Sequence, residues 1–382
     1  MKLSVLLLLF MAGVAFPMVV KAETAMELYN GNRLYESLVQ LENEKKETYY
    51  PLLKAKIFQK LGEISKGLYY LGKSDLNAYL KNSRGMGSKT EKFIDEIRRS
   101  TRDKDYEKSF QTIRSFQKTF GSRLSHNAVA DSMQYYNPKL YGAMARTYYE
   151  TAISHYLIAL NSLKKKEDID KVNALVGECW FEIAEFDNIH EYYGKAIEYF
   201  GKSNVGTDAN NPSLLLVKIW FCDLKMGKKA DAQALLTRLG KRALQDPVFR
   251  SELGIYMLKA DKNSKEGSRH VKEAYDNIAG QKIDKKHLPV FRNFASLSKS
   301  RRNYSGALYA METVRDIMDA NRINRSDPMD PSVAIDLVGV YLYPRRYGDA
   351  LRLLYDLQIF YPEAVPAWNI MKDIAERQGY GG

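Results

Sequence analysis

Proline returns along the second half of this chain at nearly even intervals, and each return opens an apolar helical run. Pro212, Pro247, Pro289, Pro331 and Pro366 are separated by 35, 42, 42 and 35 residues, and Pro138 stands 74 residues before the first of them, about two such intervals. Proline is tolerated in the first turn of a helix, where its missing N–H had no partner to lose. Asn137, Asn211, Asp246 and Asp330 precede four of these prolines. Such side chains accept hydrogen bonds from the free amides of a first turn. Helix starts that recur at this period indicate stacked helical hairpins, because one hairpin alone leaves its apolar face uncovered.

The rest of the chain agrees with an all-helical reading. Apolar residues recur at helical spacing almost throughout, and no stretch alternates with period two. Segments 22–46, 51–80 and 88–99 read as amphipathic helices, the last opening with Ser88 and Glu91 at capping-box spacing. Ala334, Leu337, Val338 and Tyr341, then Ala350, Leu354 and Leu357, form two such helices around a turn at 344–347.

Within the repeating period the residues resemble the tetratricopeptide repeat. That pattern places a large residue at position 4, Leu at 7, a small residue at 8, Tyr at 11, Ala at 20, a large residue at 24, Ala at 27 and Pro at 32. Counted from Pro331 the chain has Ala334, Leu337, Val338, Tyr341, Ala350, Leu354, Leu357 and Pro362. Counted from Gly177 it has Trp180, Ile183, Ala184, Ala196, Phe200 and Ser203, with Asp187 in place of the tyrosine. The unit from Leu288 has Phe291, Phe294, Ala295, Ala307, Met311 and Val314. The unit from Pro247 keeps Leu253 and Gly254 but needs one extra residue before Gly267, Val271 and Ala274, and the unit from Pro212 fits loosely. Small residues at 8 and 20 let paired helices approach, while the large ones fill the space between them.

The resemblance implies an all-α, right-handed superhelical array of antiparallel hairpins, a tetratricopeptide-like α-solenoid. About five hairpins are expected over residues 126–382, ending in a capping helix from Pro366, behind an irregular helical region at 23–125. The segment 201–212 is the expected bend. The same resemblance implies a concave ligand face lined by positions 2, 5, 9, 12 and 13 of each first helix. Here those are Glu178, Phe181, Glu185, Asn188 and Ile189, then Ser332, Ile335, Gly339, Leu342 and Tyr343, together with Arg292, Ser296 and Lys299. Their mixture of charged and apolar groups suits an extended peptide better than a uniform polyanion.

Residues 1–22 read as a secretory signal: a basic start at Lys2, an apolar run from Leu3 to Val20, and small residues ending at Ala22. A retained membrane anchor is the rival reading, opposed by Gly13 and Pro17 within the run. Cleavage would leave a periplasmic or secreted protein and remove Lys2 and Lys21, lowering the formal charge from +12 to +10. That compartment argues against nucleic acid and leaves acidic polysaccharide, lipid headgroups or an acidic protein. Lys and Glu spread along helix faces also read simply as solvated surface. Cys179 and Cys222 would sit on neighbouring first helices offset by roughly 10 Å along the axis. A disulfide needs Cα atoms within about 7 Å, so both are expected as buried free thiols.

Signs of catalysis are absent from the pattern. His126, His155, His190, His270 and His287 are scattered, none at metal-ligand spacing. His155 lies among apolar neighbours and reads as a packing residue. No nucleophile elbow or phosphate-binding glycine loop occurs. Glu182 and Glu185 could pair as acid and base, but on a helix surface they read as solvated carboxylates. The 27 tyrosines include the adjacent pairs 49–50, 69–70, 135–136, 148–149 and 192–193. Neighbours on a helix point about 100° apart, so each pair is expected to pack one ring inward and turn one outward, as core filler or as a contact surface. The expected function is therefore a non-catalytic scaffold without cofactor or metal, binding a protein or peptide in the cell envelope through its concave groove. The alternative is a helper that binds polysaccharide during envelope polymer export or modification. A helical glycan-cleaving enzyme would need a separate catalytic domain, for which no room is left after residue 125.

Overall fold

The computed structural model describes residues 23–44, 50–72, 138–187, 189–203, 214–278, 283–322 and 327–364, with isolated positions at 96, 99, 108, 281, 367, 368, 371, 372 and 375. Residues 1–22, the bend expected at 201–212 beyond Ser203, and the helix expected at 88–99 other than positions 96 and 99 lie outside the described residues. The described chain is helical, without a strand. Its helices are α1 (Ala25–Asn30), α2 (Leu34–Glu44), α3 (Tyr50–Tyr70), α4 (Pro138–Leu160), α5 (Lys166–Asp187), α6 (His190–Lys202) and α7 (Leu214–Lys225). They continue with α8 (Lys229–Ala243), α9 (Pro247–Ala260), α10 (Lys265–Ile278), α11 (Leu288–Ser300), α12 (Tyr304–Ala320), α13 (Pro331–Tyr341) and α14 (Tyr347–Phe360). Short 3₁₀ turns lie at Lys285–His287 and Pro362–Ala364.

The caps show why these segments start where they do. Asp246 accepts a hydrogen bond from the Phe249 amide at 2.8 Å, and Asp330 accepts from Ser332 and Val333, each just ahead of its proline. Thr24 and Glu27 form a reciprocal capping box at α1. One break was not expected: segment 22–46 is two helices, interrupted at Gly31 and at Asn32, whose φ of 57° ends a helix.

Five hairpins follow the expected order, α5–α6, α7–α8, α9–α10, α11–α12 and α13–α14. A sixth precedes them. Helix α3 pairs along its length with α4, although residues 71–137 separate them in sequence. This pairing crosses the boundary expected near residue 125, so the first hairpin draws its halves from both expected regions.

Close crossings fall where small residues stand. A Cβ built on Gly254 would lie 2.7 Å from the Gly267 carbonyl oxygen, and one on Gly267 2.8 Å from that of Gly254. Side chains larger than hydrogen at either position would push α9 and α10 apart. Ala196, Ala307 and Ala350, at the repeat's position 20, are buried in the same way. Ala367, Met371 and Ala375, spaced by four, carry the buried stripe of the C-terminal helix. Cys179 and Cys222 are buried free thiols. Burial pushes the Cys179 thiol well up and raises that of Cys222 as well.

The array turns back on itself. Helices α7, α9 and α11 pack side by side, α5 leads into them, and α13 at the far end rests against α3 at the start. Gly67 of α3 makes this possible: a Cβ there would sit 3.2 Å from Cδ1 of Ile335. One hydrophobic cluster accordingly runs through α1–α5 and α10–α14, joining both ends of the chain, while a second fills the middle from α5 to α9.

Candidate functional site

Closure turns the first helices of the hairpins inward, and their polar side chains meet one another. Lys66 of α3 pairs with Glu182 of α5 and lies 3.8 Å from Glu185. Lys218 of α7 reaches Glu178 at 2.7 Å, and Lys259 of α9 reaches Glu185 at 2.9 Å. Asn293 of α11 donates to Glu252 at 3.0 Å, and Arg292 donates to Asp336 of α13 at 3.0 Å. Each contact bridges two inner helices. The result is a belt of opposite charges from α3 round to α13.

Burial opposes the charge on Lys66 and on Lys218, yet Glu182 and Glu185 for the first, and Glu178 and Glu182 for the second, hold both ammonium groups above their ordinary pKa. Glu182 is pushed up by burial, but Lys66 and Lys218 overcome this and keep it below the usual carboxylate value. Glu63 differs. Burial, then Glu182 and Asp330, lift its carboxyl to about 7, and no ion pair to it occurs among the described residues.

The expected concave-face residues therefore divide. Glu178, Glu185 and Arg292 do line the inner face, half-buried and committed to neighbouring helices. Phe181, Ile335 and Leu342 are buried in packing and present no surface to a guest. Phe181 sits edge-on to Phe221 and Tyr256 at 6.1 and 5.7 Å, Ile335 faces Gly67, and Leu342 continues α13 into the hairpin core. Gly339 is buried too, Ser332 is half-buried and Ile189 is exposed. Ser296 is exposed, while Lys299 lies over the ring of Tyr343, which itself stacks on Tyr304 at 4.2 Å. Asn188 is outside the described residues.

Two further expectations are corrected. Glu182 and Glu185, read as solvated, are half-buried members of the belt. Tyr148 and Tyr149 are both buried, because α3 and α5 cover both of their directions and the water-facing stripe of α4 runs through Glu150, Ser154 and Ile158 instead. The pair Tyr192–Tyr193 behaves as expected, with Tyr193 buried and Tyr192 half-buried, and His155 stacks on Phe58 at 5.9 Å as a packing residue. The residues that sequence reasoning missed, Lys66, Lys218 and Lys259, carry a visible signal only in retrospect: each is a lone cation among apolar neighbours on a first helix.

The outward side presents different chemistry. Tyr309 of α12 is 64% exposed, and Tyr355 and Ile359 of α14 are 52% and 56% exposed. Between these helices lies a cleft of about 930 Å³ whose walls include Arg315, Met329, Arg352, Leu353, Asp356 and Phe360. Large apolar side chains at this exposure leave area that a partner can cover. Among the described residues no group of His, Cys, Asp and Glu could hold a metal ion, and no helix is long and apolar enough to cross a membrane.

The described helices form an α-solenoid of packed helical hairpins. No family model matches the chain. It is similar to the Arabidopsis thaliana protein KINESIN LIGHT CHAIN-RELATED 2, with 31% identity over 91 residues, 22% of this chain and 13% of that relative's length. Among solved structures, yeast Tom70 aligns over 93% of this chain and 81% of its own, at 10% identity and a TM-score of 0.37. The apo form of RapI aligns over 92% and 97%, at 13% identity and a TM-score of 0.25. The solenoid assignment rests on the hairpins themselves.

Proposed function

We propose that this protein is an exported scaffold that holds a protein partner against its outer face, at the cleft between α12 and α14. The observation that carries the reading is the contrast between faces: inner charges satisfy one another, while Tyr309, Tyr355 and Ile359 stand unsatisfied outside. Aromatic and aliphatic anchors beside an arginine are the composition on which protein interfaces concentrate their energy. Arg352 and Asp356 flank the anchors and would fix the partner's orientation. The concave-groove form of the reading has less support, since a peptide there would have to displace the belt. Export rests on the pattern of residues 1–22.

Mature protein starting at Glu23, immobilised and exposed to envelope extract, tests the reading. Wild type should retain a polypeptide, and a Tyr355→Asp, Ile359→Asp double variant with an unchanged melting profile should lose it. Equal retention by both would remove the outer face from consideration. Retention of acidic polysaccharide, released by salt, in place of a polypeptide would favour the polymer-binding alternative.

A further inference from the structure

The two ends of the array meet at a seam built round a buried carboxyl and four tyrosine hydroxyls. Its centre is Glu363, in the 3₁₀ turn after α14, only 1% exposed. Tyr35 of α2 donates to Oε1 of Glu363 at 3.2 Å and shares a second hydrogen bond of 3.2 Å with the Tyr148 hydroxyl of α4. Tyr141 of α4 donates to the Glu363 backbone carbonyl at 2.6 Å, and the Tyr361 hydroxyl donates to the Asn32 carbonyl. Asn32 in turn donates to the Pro328 carbonyl at 3.3 Å, and the Asp327 carboxylate lies against Gly31. The ionisable groups facing Glu363 are thus the phenols of Tyr35, Tyr148 and Tyr361, with Tyr141 on its backbone. No lysine or arginine pairs with it, and Oε2 has no hydrogen-bond partner among the described residues.

We propose that this seam is a proton-controlled clasp, closed when Glu363 is protonated and loosened when it ionises. An ionised carboxylate in this position would be cut off from water with one backbone and one phenol donor and no counter-ion among the described residues, whereas the neutral acid needs no counter-ion. Separating α2 from the C-terminal turn returns the group to water, so ionisation and opening favour each other. Burial raises the carboxyl to about 7, with a backbone hydrogen bond and then that from Tyr35 opposing it only in part. A group whose folded pKa is raised gives stability below its unfolded value, and that stability declines as pH rises towards the folded value. The clasp is therefore tightest below a pH of about 4.5, loosens as pH rises from there, and is weakest above about 7. This inference depends on neither the outer cleft nor any partner.

Hydrogen exchange of the mature protein, corrected for intrinsic rates, reads the seam directly. Protection of amides in α2 should fall by roughly a hundredfold between about pH 5 and about pH 8, while α7 in the middle keeps its protection. Glu363→Gln should flatten the profile of α2. Tyr35→Phe, which removes a side-chain donor to the carboxylate, should move its midpoint to higher pH, and decides the matter if the glutamine variant does not fold. Glu63→Gln, removing another buried carboxyl raised to about 7, should leave the α2 response in place. A flat wild-type profile, a response that survives in Glu363→Gln or vanishes in Glu63→Gln, a midpoint unmoved by Tyr35→Phe, or equal loss in α7 would each overturn the clasp.

Discussion

The middle of the array and its seam are both helix contacts, yet they are built from opposite materials. The rings of Tyr193, Phe221 and Tyr256 each lie within 6.3 Å of Phe181 and fill the space between α5, α6, α7 and α9 with apolar surface. At the seam, phenol hydroxyls and one carboxyl are built into the apolar contact between the two ends. Apolar burial is indifferent to pH and tolerates small shifts in geometry, whereas a buried polar network holds only while every member is satisfied. The difference teaches that the hairpins give the array its strength, while the contact that closes it is conditional.

Substitutions can break or sharpen that contrast. The largest effect is expected from Phe181→Ala, which removes the ring shared by three helices and should cost about 3–5 kcal/mol in denaturant unfolding. A loss under about 1 kcal/mol would mean that the middle is not held by its aromatic cluster. Next comes Ala350→Trp, at a fully buried crossing between α13 and α14. Overpacking of this kind costs at least about 1–3 kcal/mol, and because α13 also supports the seam, unfolding of the C-terminal hairpins should precede that of α7 in hydrogen exchange. An unchanged melting profile would show the repeat register to be wrong. The smallest effect belongs to Arg292→Ala. Its pair with Asp336 is 39% and 44% exposed at the two side chains, so the expected change in stability is about 1 kcal/mol or less, shrinking with added salt. A larger, salt-independent loss would mean the belt is structural in the same sense as the aromatic core.

Much of the hairpin architecture was legible because its signals are local. Asp246 and Asp330 announce their helices through caps that act within one turn, and Ala307 and Ala350 mark crossings at a fixed distance from the helix start. Closure left no such trace. Helix α3 meets α4 across residues 71–137 and meets α13 from the opposite end of the chain, and no period relates Gly67 to Ile335 or Asn32 to Pro328. The inner-face residues were misread for a different reason: Glu178 and Arg292 take their partners, Lys218 and Asp336, from the next first helix along the array, a contact that no spacing within one hairpin announces. Phe181 was misplaced because position 5 of the unit counted from Gly177 points at Phe221 and Tyr256, where three first helices crowd together.

The meeting of α3 with α13 also bears on how such a chain can change over time. Spirals with free tips can gain or lose a unit by duplication or deletion, since either tip simply moves. A loop whose tips must touch has a fixed copy number: one extra hairpin would carry Glu363 away from Tyr35 and strand both.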